Sequence, residues 1–158
     1  MTTNGRELTA CKTCELIARR DAGDAPMWDA IHRTDHWDLV HAYNSSLPGW
    51  LVLVARRHIA ALADLNAAEA AELGPLIQKV SAALHEVTGC HKTYLAQFAE
   101  HPDHPHVHLH LVARRLDDPP ETRGPAVFAY IDDATRPLVD GARMNDLARR
   151  LQAALQRR

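Results

Sequence analysis

The sequence predicts an α+β fold. Three observations point there: five short strand-like segments, one long capped helix with an apolar stripe, and a shorter helix at the C-terminal end. The chain has 158 residues, enough for one domain with a core of its own.

Residues 1–10 are polar and read as a loose tail without the apolar stretch of a secretory signal. Cys11 to Arg20 opens with a turn and continues as a short helix, and Asp21 to Pro26 is a loop. Trp28 to Arg33 alternates as a strand, with Trp28, Ala30 and His32 on one face. Trp37 to Tyr43 alternates again. After the turn cluster Asn44 to Gly49, Trp50 to Ala55 is an unbroken apolar run, as expected of a central strand buried on both faces.

The long helix starts at Asn66, where Glu69 three residues later completes a capping-box pattern. Leu73, Leu76, Ile77, Val80, Leu84 and Val87 form its apolar stripe, and Gly89 stops it. Gly74-Pro75 is expected to kink or split it. Thr93 to Ala99 and His106 to Ala113 are the fourth and fifth strands. Residues 114–140, rich in Pro, Asp and Gly, run over the surface, and Met144 to Gln156 is the final helix. One domain covers residues 1–158, with a core over about 11–115 and a C-terminal extension over 116–158.

A net charge of -2 gives no basic field for duplex nucleic acid. Arg149, Arg150, Arg157 and Arg158 read as a solvated helix face. No apolar run approaches the ~20 residues of a membrane helix. Three cysteines, Cys11, Cys14 and Cys90, are an odd set for a disulfide framework, and the Cys-x-x-Cys spacing leans toward metal or redox chemistry. These features place the protein in the cytoplasm.

Histidine is the anomaly: there are eleven, four of them at positions 104, 106, 108 and 110. In His106-Val107-His108-Leu109-His110-Leu111-Val112 the alternation is strict, so a strand would project the imidazoles from one face and bury Val107, Leu109 and Leu111. Three imidazoles in a row have no packing logic, because burying unpartnered polar groups is unfavourable. A solvated edge face is the bland alternative. His32, His36, His41, His85, His91 and His101 carry no motif and take surface or strand-face roles by default.

This pattern resembles the signature of the histidine triad (HIT) superfamily, with Arg114 in the family's usual arginine place. Leu47-Pro48-Gly49-Trp50 through Val54, followed by Arg56-Arg57-His58, is similar to the family's turn, strand and basic-basic-His segment. Cys11-x-x-Cys14 is similar to the start of bacterial zinc-binding members. The resemblance implies an antiparallel sheet of about five strands and a homodimer. It also implies a nucleotide hydrolase or transferase cleaving at the α-phosphate of a nucleoside phosphoramidate or dinucleoside polyphosphate.

By that resemblance His108 is the nucleophile that becomes nucleotidylated, as a neutral imidazole is suited to do near pH 7. His110 serves the phosphate oxygens or passes a proton. Gln97 is the polar amide beside the nucleophile. Cys11, Cys14, His58 and His106 form a closed, structural zinc site, the plain alternative being two buried thiols without metal. Cys90 is a small buried hydrophobe.

A purine nucleotide is expected beside the histidine strand, its phosphate against His108 and His110. Trp28, Ile31 and Leu39 are the expected walls for the base. Trp50 stands where many members have a histidine, and either packs on the sheet or stacks on the base. The loop Glu100 to Pro105 replaces the family's Gly- and Gln-rich phosphate loop, and His104 is expected to supply the lost polar contact. Ala113 stands where the family has proline. These departures leave a second reading open, a nucleotide-binding sensor without turnover. A catalytic metal at the His-x-His pair is a third, but no histidine follows His110 to complete it.

Overall fold

A computed structural model describes residues 11–158; the tail expected over residues 1–10 lies outside the described residues. Five strands form one sheet: β1 (His32–Arg33), β2 (Trp37–His41), β3 (Trp50–Ala55), β4 (Lys92–Gln97) and β5 (His108–Arg114). Their order is β1-β2-β3-β5-β4, with every neighbouring pair antiparallel. The helices are α1 (Lys12–Asp21), α2 (Ala67–Thr88) and α3 (Gly141–Gln156).

The parity of the strands sorts their side chains onto two faces. Leu39, Leu51, Leu53, Leu109 and Leu111 face one core, which α2 and α3 cover with Val80, Leu84, Leu147 and Leu151. Val40, Trp50, Val52, Val54 and Val112 face a second core, covered by Ile17 of α1 and Val127 of the extension. Cover on both sides explains why Trp50 to Ala55 is apolar without alternation.

The expected capping box at α2 is present. Asn66 Oδ1 accepts from Glu69 N at 2.9 Å, and Asn66 N donates to Glu69 Oε2 at 2.8 Å. Arg57 donates to both Glu69 oxygens at 2.8 Å, which ties this helix start to the segment carrying His58 and holds the Glu69 carboxyl down at about 2. Gly89 ends the helix with a left-handed φ of +68°. Gly74-Pro75 neither splits nor ends the helix; both residues lie on its exposed side, where water can take the place of the lost backbone bond.

The predicted strand over Trp28 to Arg33 is mostly a different structure. Pro26 starts a 3₁₀ turn over Met27–Asp29, with Asp29 N to Pro26 O at 2.9 Å, and pairing is confined to His32–Arg33. The fifth strand begins at His108, two residues later than expected: Val107 N donates to Ile59 O, beyond the end of β3, and His106 lies beside the two cysteines.

The extension folds back over the second face of its own sheet. A 3₁₀ helix over Gly124–Tyr130 leads to a bridge between Ile131 and Ser45, and Ser46 N donates to Tyr130 O at 2.9 Å. No helix among the described residues is long and apolar enough to cross a membrane.

α3 belongs to the helix-side core, with Leu147, Leu151 and Leu155 all buried. Leu151→Ala is therefore expected to cost about 2–5 kcal/mol of stability by leaving a cavity. Denaturant titration measures it, and a loss below ~1 kcal/mol would contradict this packing.

Candidate functional site

The histidine strand lies between β3 and β4, and its cross-strand partners show what surrounds it. His108 pairs with Val54 and His110 with Val52, so both imidazoles share the face of the second core. That face is not fully covered. Between α1, the sheet, the 98–104 loop and the extension lies a cleft of about 300 Å³. His108 and His110 form one side of it, and Val40, Val52 and Val54 its floor.

His108 is held in one tautomer. Its Nδ1 lies 2.8 Å from the carbonyl oxygen of His106, which can only accept, so the ring proton sits on Nδ1. Nε2 keeps its lone pair. Burial lowers the pKa of His108 and favours the neutral ring.

His110 is oriented by Trp50, whose indole Nε1 donates to His110 Nδ1 at 3.0 Å. Phe128 of the extension packs edge-on against His110, with ring centroids 5.2 Å apart. Trp50 itself is fully buried and does not line the cleft, so it packs on the sheet and is not a stacking surface for a base.

Behind the histidine strand, four potential ligands converge. Cys11 caps α1 and Cys14 sits in its first turn, where the helix dipole favours thiolates. His106 Nε2 donates to Ala55 O at 2.6 Å, leaving Nδ1 to face the cysteines. That Nδ1 lies 3.8 Å from Cys11 Sγ, 3.5 Å from Cys14 Sγ and 3.2 Å from His58 Nδ1. Cys14 Sγ is 3.2 Å from His58 Nδ1, and all four atoms fall within 4.8 Å of one another.

A tetrahedral ion with Zn–N near 2.0 Å and Zn–S near 2.3 Å has ligand edges of about 3.3–3.8 Å, so the set fits one. Burial and then the neighbouring Cys11 push the Cys14 thiol up to about 11, so the sulfur keeps its proton unless a cation stands between the two cysteines. The carbonyl that orients His108 belongs to His106, which couples this cluster directly to His108.

Several expected site residues lie elsewhere. Leu39 pairs with Leu53 on the helix side, Ile31 is buried in the same core, and Trp28 packs against it; none of the three lines the cleft. The cleft face of β2 carries Val40 and, beyond the strand end, Ala42. Gln97 pairs with Leu109 and so shares the helix-side parity, opposite to His108. Its neighbour Phe98 lines the cleft, and the chain then turns at Ala99, which takes a φ of +58°. His104 does line the cleft, but both ring nitrogens are engaged, with Thr13 Oγ1 at 2.9 Å and Tyr43 OH at 3.1 Å. It braces α1 against the end of β2.

Sequence reasoning also missed the far end of the cleft. Arg20, buried, donates to Asp29 Oδ1 at 2.8 Å and to Asp38 Oδ2 at 3.2 Å. Burial pushes the Asp29 carboxyl up in spite of Arg20. His108, Val54 and Asp38 lie in one row across the sheet, so this end stands two strand spacings, about 10 Å, from His108. Nothing local in the sequence marks these residues as neighbours of His108.

His41, expected at a surface or strand face, is fully buried. Its Nδ1 donates to Ala42 O at 2.8 Å, and its Nε2 accepts from Gly49 N at 3.1 Å. Burial lowers the pKa of His41 and, with His108 as the second cause, takes that of His110 to about 4. Both are neutral when folded, whereas an unfolded histidine protonates near pH 6.5. Below that pH the unfolded state binds more protons, so stability falls as pH drops from 6.5 toward 4. The melting temperature is expected to decline between pH 7 and pH 5, and a flat profile there would contradict two buried neutral rings.

The sequence model of the HIT domain matches residues 28–117, more than half of the chain. The chain belongs to the HIT family. Among solved structures, a histidine triad protein of Bradyrhizobium japonicum is 27% identical, with a TM-score of 0.63, covering 81% of this chain and 87% of that one. A zinc-bound histidine triad protein of Mycobacterium smegmatis is 21% identical with a TM-score of 0.65, covering 94% of each chain. A hypothetical histidine triad nucleotide-binding protein of Sulfolobus tokodaii shares 13% identity and a TM-score of 0.70 over 93% of each chain. A search of the curated proteins gave no match. The HIT signature of this chain is thus His106 to Val112, with the metal-type cluster behind it and the cleft in front.

Proposed function

We propose that this HIT protein hydrolyses a nucleotide at its α-phosphate through a nucleotidyl intermediate on His108. One observation carries the reading: His108 Nδ1 is tied to the His106 carbonyl at 2.8 Å while its ring lines an open cleft, which leaves Nε2 as a nucleophile. His110 stands beside it, ring centroids 5.0 Å apart, to hold the phosphate oxygens. The base lies across β3 on Val52 and Val54, with Val40 and Leu16 of α1 as the remaining apolar walls. Such walls take the flat face of a purine, and the 10 Å row from His108 to Asp38 matches the reach of a nucleoside monophosphate.

Zinc is the ion we assign to Cys11, Cys14, His58 and His106. When bound in this closed set it supplies structure, fixing the head of α1 to the catalytic strand. We also propose a homodimer. β4 is a sheet edge with Leu95 on it 50% exposed, which is where a second copy would find a strand to pair with. Cysteines outside any disulfide among the described residues suit a reducing cytoplasm.

Intact-mass measurement after rapid mixing with a nucleoside phosphoramidate or a dinucleoside polyphosphate is the test. A transient nucleotidyl adduct that maps to His108 is the expected result. Tight AMP binding without adduct or turnover would favour the sensor reading instead.

A further inference from the structure

An indole nitrogen carries a hydrogen and no lone pair, so Trp50 can only donate in its 3.0 Å contact with His110 Nδ1. His110 Nδ1 is therefore an acceptor, and the ring proton sits on Nε2. A second proton would have to occupy Nδ1, against the indole hydrogen. Trp50 has no room to turn away: it is fully buried, with Phe128 packed edge-on at 5.1 Å.

Every element around His110 agrees. Its cross-strand partners are Val52 on β3 and Ala96 on β4, and Phe128 of the extension covers the ring. Among the described residues, His108 on its own strand is the titratable group that acts on it, and it opposes protonation as burial does. Glu100 and Asp132 line the same cleft, but among the described residues no carboxylate acts on the ring to stabilise an imidazolium.

We propose that Trp50 is a positioning residue that keeps His110 a neutral Nε2–H donor, and that the site thereby favours leaving groups that depart without a proton. Its substrates are phosphoanhydrides cleaved at the α-phosphate, in preference to phosphoramidates of basic amines. This rests on the nucleotidyl-transfer reading above.

The chemistry balances as follows for an anhydride. The His108 Nε2 pair forms the N–P bond, and the bridging P–O bond breaks with its electron pair on oxygen. The phosphate leaves as an anion that needs no proton. Water then forms the new P–O bond, the P–N pair returns to His108 Nε2, and one proton passes to solvent. With a phosphoramidate, the scissile bond is P–N, and the departing nitrogen must gain a proton as it leaves. A histidinium could give one; a neutral imidazole N–H is too weak an acid. The missing general acid would have contributed about 10²–10⁴-fold.

The experiment compares kcat/KM on a dinucleoside tetraphosphate with that on an adenosine phosphoramidate of a simple alkylamine, using the purified full chain. Native protein is expected to favour the anhydride by about 10²-fold or more. Trp50→His, which supplies an acceptor for an Nδ1–H, is expected to narrow the ratio by about 10²-fold, the low end of that acid term. Equal or better cleavage of the phosphoramidate by native protein would overturn the proposal.

Nitrogen-15 NMR of the native protein reads the tautomer without any substituted core residue, with His110→Gln assigning the signals. A bare Nδ1 and protonated Nε2 are expected from pH 8 to pH 5.5, and a doubly protonated His110 at pH 7 would overturn the part given to Trp50. If neither substrate were cleaved, the nucleotidyl-transfer reading and the substrate class would fall together, while the NMR result would still decide the tautomer.

Discussion

His108→Asn is expected to lower turnover by roughly 10⁴-fold or more while nucleotide still binds, as removal of a nucleophile does elsewhere. Asparagine keeps a donor that can reach the His106 carbonyl, so the strand and the cleft should persist. What it lacks is the lone pair at the Nε2 position. The walls that hold the base, Val40, Val52 and Val54, are untouched. The split is diagnostic: affinity for AMP near that of the native chain, and no nucleotidyl adduct by intact mass. Near-native turnover by this variant would end the assignment of His108.

Cys11→Ser with Cys14→Ser is expected to remove about one zinc per chain and to destabilise the protein markedly. Binding energy at a closed site is folding energy, because the unfolded chain has no such site. At free metal 10²–10³ times Kd the linkage is worth about 3–4 kcal/mol. The structure adds a second consequence. His106 is held by Ala55 on one nitrogen and by the cluster on the other, and its carbonyl orients His108. Loosening it should lower turnover even in variant protein that remains folded at low temperature. Metal analysis of the purified double variant checks the first claim, and full zinc retention would place the ligands elsewhere.

Much of the site's chemistry is written in short runs of sequence. Strict alternation from His106 to Val112 puts His108 and His110 on one face and Leu109 and Leu111 on the other, and the sheet has them so. The capping box at Asn66 and the stop at Gly89 are local hydrogen-bonding rules and appear as expected. Cys11, Cys14, His58 and His106 are spread over most of a hundred residues, and resemblance to a family grouped them. The converging ligand atoms now supply a physical reason for that grouping.

What failed was not residue chemistry but sidedness. Trp28, Ile31 and Leu39 are apolar and near the right strands, yet they belong to the core under α2 and α3. Gln97 is polar and close to His108 in sequence, but its partner Leu109 sets it on the opposite face. The parity of each strand is local; which parity of one strand meets which parity of the next is fixed by register between distant segments. Pairing of β3 with β5, across the long α2 excursion, is what brings Val52 and Val54 under the histidines.

The sequence by itself therefore determined the family, the strand that carries His108 and His110 and the ends of the long helix, because each depends on residue identity and spacing along the chain, while the resemblance supplied the set of metal-type ligands. Only the tertiary structure decided that the extension lies over its own cleft, that Arg20 and Asp29 close its far end, and that the buried Trp50 faces His110 as a donor. Those outcomes depend on which surfaces bury against one another, and burial is a property of the whole packed chain that no segment of it carries alone.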